Sequence, residues 1–185
     1  MNAKTTNIEG CYLLTPNVFQ DKRGYFFESF NQQKFEEIIG TAVNFVQDNQ
    51  SKSTKGVLRG LHYQKGKFAQ AKLVRVLEGE VLDVAVDLRT DSPTYKNVFT
   101  TILSLENNKQ LFVPRGCAHG FLTLSDSATF FYKCDNFYHK ESEAGFRYDD
   151  QEFAIDWQMS AKDLIISEKD EVLPFFKQEE TTLSQ

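Results

Sequence analysis

Along most of this chain apolar residues recur at every second position, and helical spacing is scarce. The run KLVRVLEGEVLDVAVDLR over 72–89 carries the plainest signal. Lys72, Val74 and Val76 share one side of an extended segment, and Glu78-Gly79-Glu80 then marks a turn. The return strand sets Leu82, Val84, Val86 and Leu88 against Asp83, Ala85 and Asp87, which predicts one face toward a core and the other away from it. Shorter strands are predicted at 24–30, 43–50, 57–63, 98–105, 110–113, 120–124 and 128–134. Turn signals such as Asp91-Ser92-Pro93 and Glu106-Asn107-Asn108 separate them. The best helical window is NQQKFEEIIG at 31–40, opened by Asn31 as a cap and closed by Gly40. From about Tyr138 the chain turns polar and irregular, with FAIDW at 153–157 and a short helix predicted near 160–164. So many short strands point to an all-β sandwich or barrel. No repeat, linker or low-complexity tract divides the sequence. A single domain over 1–185 is expected, with a strand core at about 8–155 and an irregular or helical segment at about 156–185.

Composition narrows the class. The chain has 185 residues, 41% hydrophobic and 25% charged, which can fill a core and excludes disordered and fibrous classes. Its 21 Lys plus Arg stand against 26 Asp plus Glu, a net charge of −5, and no basic stripe is present to hold phosphate backbones. Nucleic acid is therefore not an expected partner, whereas a small anion needs only a few well placed cations. Aromatic residues reach 14%, with 17 Phe and 7 Tyr but one Trp. Cys11, Cys117 and Cys134 are too few and too widely spaced for a disulfide framework or a zinc site, so reduced thiols are expected. The first residues, MNAKTTNIEGCYLL, lack the basic head and apolar run of a signal peptide, and no apolar stretch reaches membrane-spanning length. A cytoplasmic protein without membrane contact is the expectation.

Ionisable residues within the predicted strands are the candidates for chemistry, because burying them is costly unless they are paired or used. GVLRGLHYQ at 56–64 gathers Arg59, His62 and Gln64, with His62 and Gln64 on one face if extended. FVPRGCAHGFL at 112–122 adds His119, and FFYKCDNFY at 130–138 adds Tyr132 and Tyr138. Taken singly, each has an ordinary explanation. A lone His62 or His119 is more often a hydrogen-bonded structural histidine, Tyr132 core packing, and Arg59 an ion-pair partner. His139, in the polar HKESE run, reads as a solvated surface residue. Lys72 stands out, since it starts a strand on the apolar parity and lysine seldom tolerates burial without a partner or a task.

Two segments match part of the cupin pattern, whose motifs G(x)5HxH(x)3-4E and PxGxxH bind a metal. Gly56 and His62 keep the first spacing, and Pro114, Gly116 and His119 keep the second. Gln64 replaces the other histidine, and Phe68 and Ala69 stand where the glutamate should be. Two imidazoles make a poor divalent-ion site, so no metal is expected.

Read together, DKRGYFFESF (21–30), FVQDNQSKS (45–53), GVLRGLHYQ (56–64), QAKLVRVLEGEVLDVAVDLR (70–89), SPTY (92–95), FVPRGCAHGFLTLSD (112–126), YKCDNFY (132–138), SEAGFRYDD (142–150) and SEKD (167–170) make a specific match. The chain resembles the dTDP-4-dehydrorhamnose 3,5-epimerases over roughly residues 8–175. In SEAGFRYDD, Phe and Tyr replace a frequent Ile and Trp, a change expected to affect packing rather than catalysis.

The resemblance implies a cupin-type jelly roll with a few short peripheral helices, and a dTDP-4-keto-6-deoxy sugar as substrate. Hydrogens on C3 and C5 are α to the C4 ketone, so a base, an acid on the opposite face and enolate stabilisation suffice, and no cofactor is expected. It further implies His62 as base, oriented by Asp170, Tyr132 as acid, and Lys72 as the cation at the oxyanion. His119, oriented by Asp83, would bind the sugar. Arg23, Arg59 and Lys169 would meet the diphosphate, and Tyr138 would stack on thymine. Phe26, Glu28, Gln47, Asp48, Asn49 and Glu143 match substrate-binding positions. The family also implies a homodimer with swapped N-terminal strands, in which Arg23 and Glu28 enter the partner's site. Rival readings are a 3- or 5-epimerase of a related dTDP-4-keto sugar, a 3,4-ketoisomerase, and a non-catalytic sugar-binding cupin. A metal-dependent dioxygenase is disfavoured by Gln64 and the missing glutamate.

Overall fold

The computed structural model describes residues 1–176; residues 177–185, the end of the expected C-terminal segment, lie outside the described residues. In chain order the elements are β1 (Asn2–Thr5), β2 (Tyr12–Thr15), β3 (Phe19–Asp21), β4 (Gly24–Phe26), α1 (Gln32–Ile39), β5 (Gln47–Thr54), β6 (Leu58–Gln64), β7 (Lys72–Glu78), β8 (Glu80–Asp87), β9 (Val98–Ser104), β10 (Gln110–Val113), β11 (Cys117–Thr123), β12 (Ser127–Cys134), β13 (Glu143–Gly145) and α2 (Glu168–Glu171). A six-stranded antiparallel sheet runs β1-β2-β10-β7-β12-β5, and a five-stranded one runs β13-β6-β11-β8-β9. Strands β3 and β4 form a separate hairpin. The two larger sheets face each other as a jelly roll. Val74, Val76, Leu111 and Phe130 of the first sheet meet Val81, Ala85, Leu103 and Phe121 of the second in one apolar cluster.

The hairpin-like reading of 72–89 is corrected by this topology. β7 and β8 do not pair; the chain turns a corner at Gly79 and passes from one sheet to the other. Gly79 has φ +75°, and a Cβ there would collide with the Ser127 carbonyl. The parity of β8 is also the reverse of a simple reading, and both faces are covered. Leu82, Val84 and Val86 face outward under Phe146, Phe153, Trp157 and Phe176 of the C-terminal segment. Asp83 and Asp87, fully buried, share the other parity with Ala85 of the interior cluster. Helix α1 follows the sequence expectation closely: Asn31 accepts from the Lys34 N–H, and Gly40 closes the helix at φ +75°. Its Phe35 and Ile39 cover the outside of the first sheet with Leu14, Leu73 and Phe112. The helix predicted near 160–164 is a single 3-10 turn, Ala161–Asp163.

β6 contains an irregularity that shapes the interior. It pairs with β11 as His119 with His62, and then as Phe121 with Arg59, so β6 spends one residue more than its partner. Positions three apart normally point to opposite faces. Here Leu58 and Leu61 both join the outer cluster, while Arg59 and His62 both line the interior cavity. The extra residue is accommodated at Gly60, whose φ is +125° and whose missing Cβ would lie 2.6 Å from Gly120 Cα and 2.9 Å from His119 O. Gly60→Ala should therefore destabilise the fold by roughly 3 kcal/mol or more, from overpacking and a disfavoured φ together. Denaturant unfolding measures this, and a loss below about 1 kcal/mol would refute the tight approach of β6 and β11.

Candidate active site

A cavity of about 570 Å³ opens between the sheets, lined by Arg59, His62 and His119 from the five-stranded sheet and by Asn49, Lys72 and Tyr132 from the six-stranded one. Lys169 and Asp170 reach it from α2. A second cavity of about 330 Å³ shares Asn49, His62, Lys72 and Tyr132 with it and adds Gln47, Tyr138 and Glu143. The shared residues form the waist of one elongated pocket.

Helix α2 is short, and its place comes from the chain before it. Gly56 and Leu58 exchange backbone hydrogen bonds with Ile165, and Ser167 Oγ caps the helix by accepting from the Asp170 N–H. Asp170 is thereby held, 3% exposed, with Oδ1 2.7 Å from His62 Nε2 and Oδ2 accepting the Gly60 N–H at 3.3 Å. Burial alone would push the Asp170 carboxyl up. The His62 hydrogen bond and charge, the Gly60 N–H and the charge of Lys169 outweigh it and hold Asp170 below its ordinary 3.8. An ionised Asp170 accepts from Nε2–H, which leaves the lone pair of His62 on Nδ1.

His119 is the cross-strand partner of His62 and sits 2.9 Å from Asp83 Oδ1, with its ring stacked on Phe130. Asp83 Oδ2 is buried without a hydrogen-bond partner among the described residues. Burial raises the Asp83 pKa against the opposing pull of His119 and Lys72. Lys72 faces inward from β7 with its Nζ 5.9 Å from the centre of the Tyr132 ring. Desolvation lowers its pKa, only partly offset by Cys134, Asp83 and Glu143. The same desolvation makes an anionic partner worth more to this ammonium than it would be in water. Tyr132 stands on the wall opposite His62, and burial raises its pKa, so it is kept as a phenol. Arg59 donates from Nε to Ser53 Oγ at 3.1 Å and lies at the exposed rim.

At the far end Glu143 accepts from the Tyr138 hydroxyl at 2.9 Å and pairs with Lys169 at 2.6 Å. Burial opposes ionisation of Glu143, but Lys169, Tyr138 and His62 hold its pKa down. Tyr138 itself is half exposed.

Four expected contacts are not brought into this pocket by the chain alone. Asp48 points to the outer face of β5 and pairs with Lys133. Glu28 pairs with Lys34 near α1. Arg23 and Phe26 lie on the exposed β3–β4 hairpin, where Arg23 is bound to Asp21. Conversely, Ser53, Ser167 and the Gly60 N–H support the site without having been singled out. Ser53 closes the block FVQDNQSKS, but the uniformly polar run QDNQSKST gives no sign of the burial at that position. Among the described residues no three His, Cys, Asp or Glu side chains gather as a metal cluster.

The sequence profile of the family dTDP-4-dehydrorhamnose 3,5-epimerase matches residues 5–178. This chain belongs to that family. It is 53% identical over 173 residues to the dTDP-4-dehydrorhamnose 3,5-epimerase of Escherichia coli K12, covering 94% of this chain and 93% of the relative. The crystal structure of the same-named enzyme from Elizabethkingia anophelis superposes with a TM-score of 0.94 at 55% identity, covering 97% and 98% of the two chains. The dTDP-6-deoxy-D-glucose-3,5-epimerase of Legionella pneumophila, solved in complex with dTDP-4-keto-L-rhamnose, gives 0.93 at 46% identity, covering 98% and 96%. The epimerase chain described here thus shares its fold with relatives over nearly its whole length.

The Asp170–His62 pair has a defined acid signature. A carboxylate whose folded pKa is depressed stabilises the fold above its unfolded value, and the contribution is lost as pH falls through the folded one. Asp170→Asn should therefore lower stability at about pH 5 to 7, with the gap to wild type narrowing below pH 3.8. Urea unfolding across pH tests this, and a gap of constant size down to the acid limit would contradict it.

Proposed function

We propose that this chain epimerises dTDP-4-dehydro-6-deoxy-D-glucose at C3 and C5, giving dTDP-4-dehydro-L-rhamnose for dTDP-L-rhamnose biosynthesis. The observation that carries the mechanism is the opposition of two proton-transfer groups across one pocket: a carboxylate-paired imidazole on one sheet and a partly buried phenol on the other. His62 takes the proton from a carbon α to the C4 ketone and becomes an imidazolium beside Asp170. The electron pair moves into the C4 oxygen, where Lys72 and His119 stabilise the enolate. Tyr132 then delivers its proton to the same carbon from the opposite face, leaving a phenolate. Exchange with solvent returns the proton to Tyr132 and removes one from His62, and the sequence repeats at the second carbon.

Arg59 and Lys169 supply positive charge for the diphosphate, and Tyr138 offers a ring face for thymine. The Legionella relative bound to dTDP-4-keto-L-rhamnose supports this substrate class. In D2O, the protein with dTDP-4-keto-6-deoxyglucose should place deuterium at both C3 and C5, followed by NMR. Label at one carbon only would assign a single-site epimerase, and none at either would assign a binding module. Lys72→Met should lower kcat by about a hundredfold or more by removing the cation at the oxyanion, and turnover near wild type would remove Lys72 from this role.

The chain also works as a homodimer in this reading. The β3–β4 hairpin exposes Phe19, Tyr25 and Phe26, and β1 ends its sheet with all four residues exposed. An N-terminal exchange between two copies would cover these groups and carry Arg23, Phe26 and Glu28 to the partner's pocket. Mixing inactive Arg23→Ala and His62→Asn chains should then restore about a quarter of wild-type activity, since only mixed dimers own one intact site. No recovery after subunit exchange would place Arg23 elsewhere. Three buried free cysteines suit the reducing cytoplasm as the place of action.

A further inference from the structure

Tyr138 lies in the irregular stretch 135–139 between β12 and a 3-10 turn at Lys140–Ser142, yet three glutamines hold the backbone there. Gln70 donates from Nε2 to the Asn136 carbonyl at 2.8 Å. Gln47 Oε1 accepts the Tyr138 N–H at 3.0 Å, and Gln64 Oε1 accepts the His139 N–H at 3.2 Å. Gln64 is the buried member, 7% exposed, on the same face of β6 as His62 and directly across from Glu143 of β13. Since Glu143 accepts from the Tyr138 hydroxyl, the tyrosine is fixed at both ends, its backbone by Gln47 and Gln64 and its ring tip by Glu143.

We infer that Gln64 is a positioning residue for Tyr138, holding that ring ready as a platform for the nucleobase. The inference rests on the reading of Tyr138 as that platform. An amide suits the position because its oxygen is an acceptor at every pH, whereas an imidazole would offer an acceptor only in one tautomer and a carboxylate would face Glu143. A loop held in its binding conformation before the ligand arrives has less ordering entropy to lose on binding.

The test compares wild type, Gln64→Leu and Gln70→Ala in three measurements: dTDP affinity by calorimetry, steady-state kinetics, and amide hydrogen exchange at Tyr138 and His139. Loss of one such bond should weaken dTDP and raise KM by about five- to tenfold while kcat stays within about twofold. Exchange at His139 should accelerate in Gln64→Leu. In a Tyr138→Ala background, Gln64→Leu should cost little further dTDP affinity, because the two act through one ring. Independent losses in that background, or a fall in kcat at constant KM, would overturn the inference. If Gln64→Leu fails to fold, Gln70→Ala carries the same expectation on KM, and an unchanged KM there overturns the clamp. If the wild type binds no dTDP, the functional reading falls, and unchanged exchange at His139 in Gln64→Leu would separately overturn the clamp.

Discussion

The histidine wall of this site depends on the close contact of β6 and β11 at Gly60 and Gly120. A regular strand would send either Arg59 or His62 outward. The extra residue on β6 keeps both inside while Leu58 and Leu61 remain in the outer apolar cluster. The same glycine donates its N–H to Asp170 Oδ2, so the backbone feature that aims His62 also holds the carboxylate that orients it. On the other strand the contact involves the carbonyl of His119. Thus His62, Asp170, His119 and Arg59 share one point of backbone packing.

Around that point the barrel interior divides into two kinds of space. One part is closed by Val74, Val76, Leu111 and Phe130 against Val81, Leu103 and Phe121, with Phe121 and Phe130 stacked at 4.1 Å. The other part is polar, and its polar groups are costly to bury: Asp83 has an oxygen without a partner among the described residues, and Lys72 has lost much of its hydration. In the proposed reaction a keto sugar whose oxygen becomes an enolate meets a lysine already short of water, so its developing negative charge would gain more here than in solvent. The polar half costs stability through these buried groups, and the apolar half with its two covered outer faces supplies the burial that offsets it.

What the sequence made legible follows the same division. Helix α1 could be bounded because Asn31 and Gly40 are local signals that need no tertiary partner. The alternation of 72–89 located two strands, but not that they belong to different sheets, because a corner at Gly79 and a tight turn look alike in sequence. β8 looked one-sided because its interior parity includes Asp83 and Asp87, and only the fold shows them buried. β5 was placed early, at 43–50, because all eight of its residues, QDNQSKST, are polar; Gln47 and Asn49 line the pocket and Ser53 is buried against Arg59. Helix α2 has four residues and depends on the bridge at Ile165, so no hydrophobic period could announce it.

The residues that sequence resemblance places at the substrate but the single chain holds away from it are mostly at its N-terminal end: Arg23, Phe26 and Glu28. Their surroundings are self-contained, with Arg23 on Asp21 and Glu28 on Lys34, so nothing within the chain draws them to the pocket. The pocket's own cations have unequal freedom. Lys169 is committed to Glu143, Lys72 sits deep under Tyr132, and Arg59 holds the rim. In the proposed reaction a diphosphate approaching a chain of net charge −5 meets Arg59 at the rim, has to win Lys169 from a carboxylate, and gains from further positive charge brought from outside. In the proposed dimer an arginine from the second copy answers that need, and the hairpin's exposed rings supply the apolar contact that seats it. In that reading dimerisation and anion binding become one electrostatic and hydrophobic requirement, the second copy's arginine adding to the charge that Arg59, Lys72 and Lys169 place around the pocket.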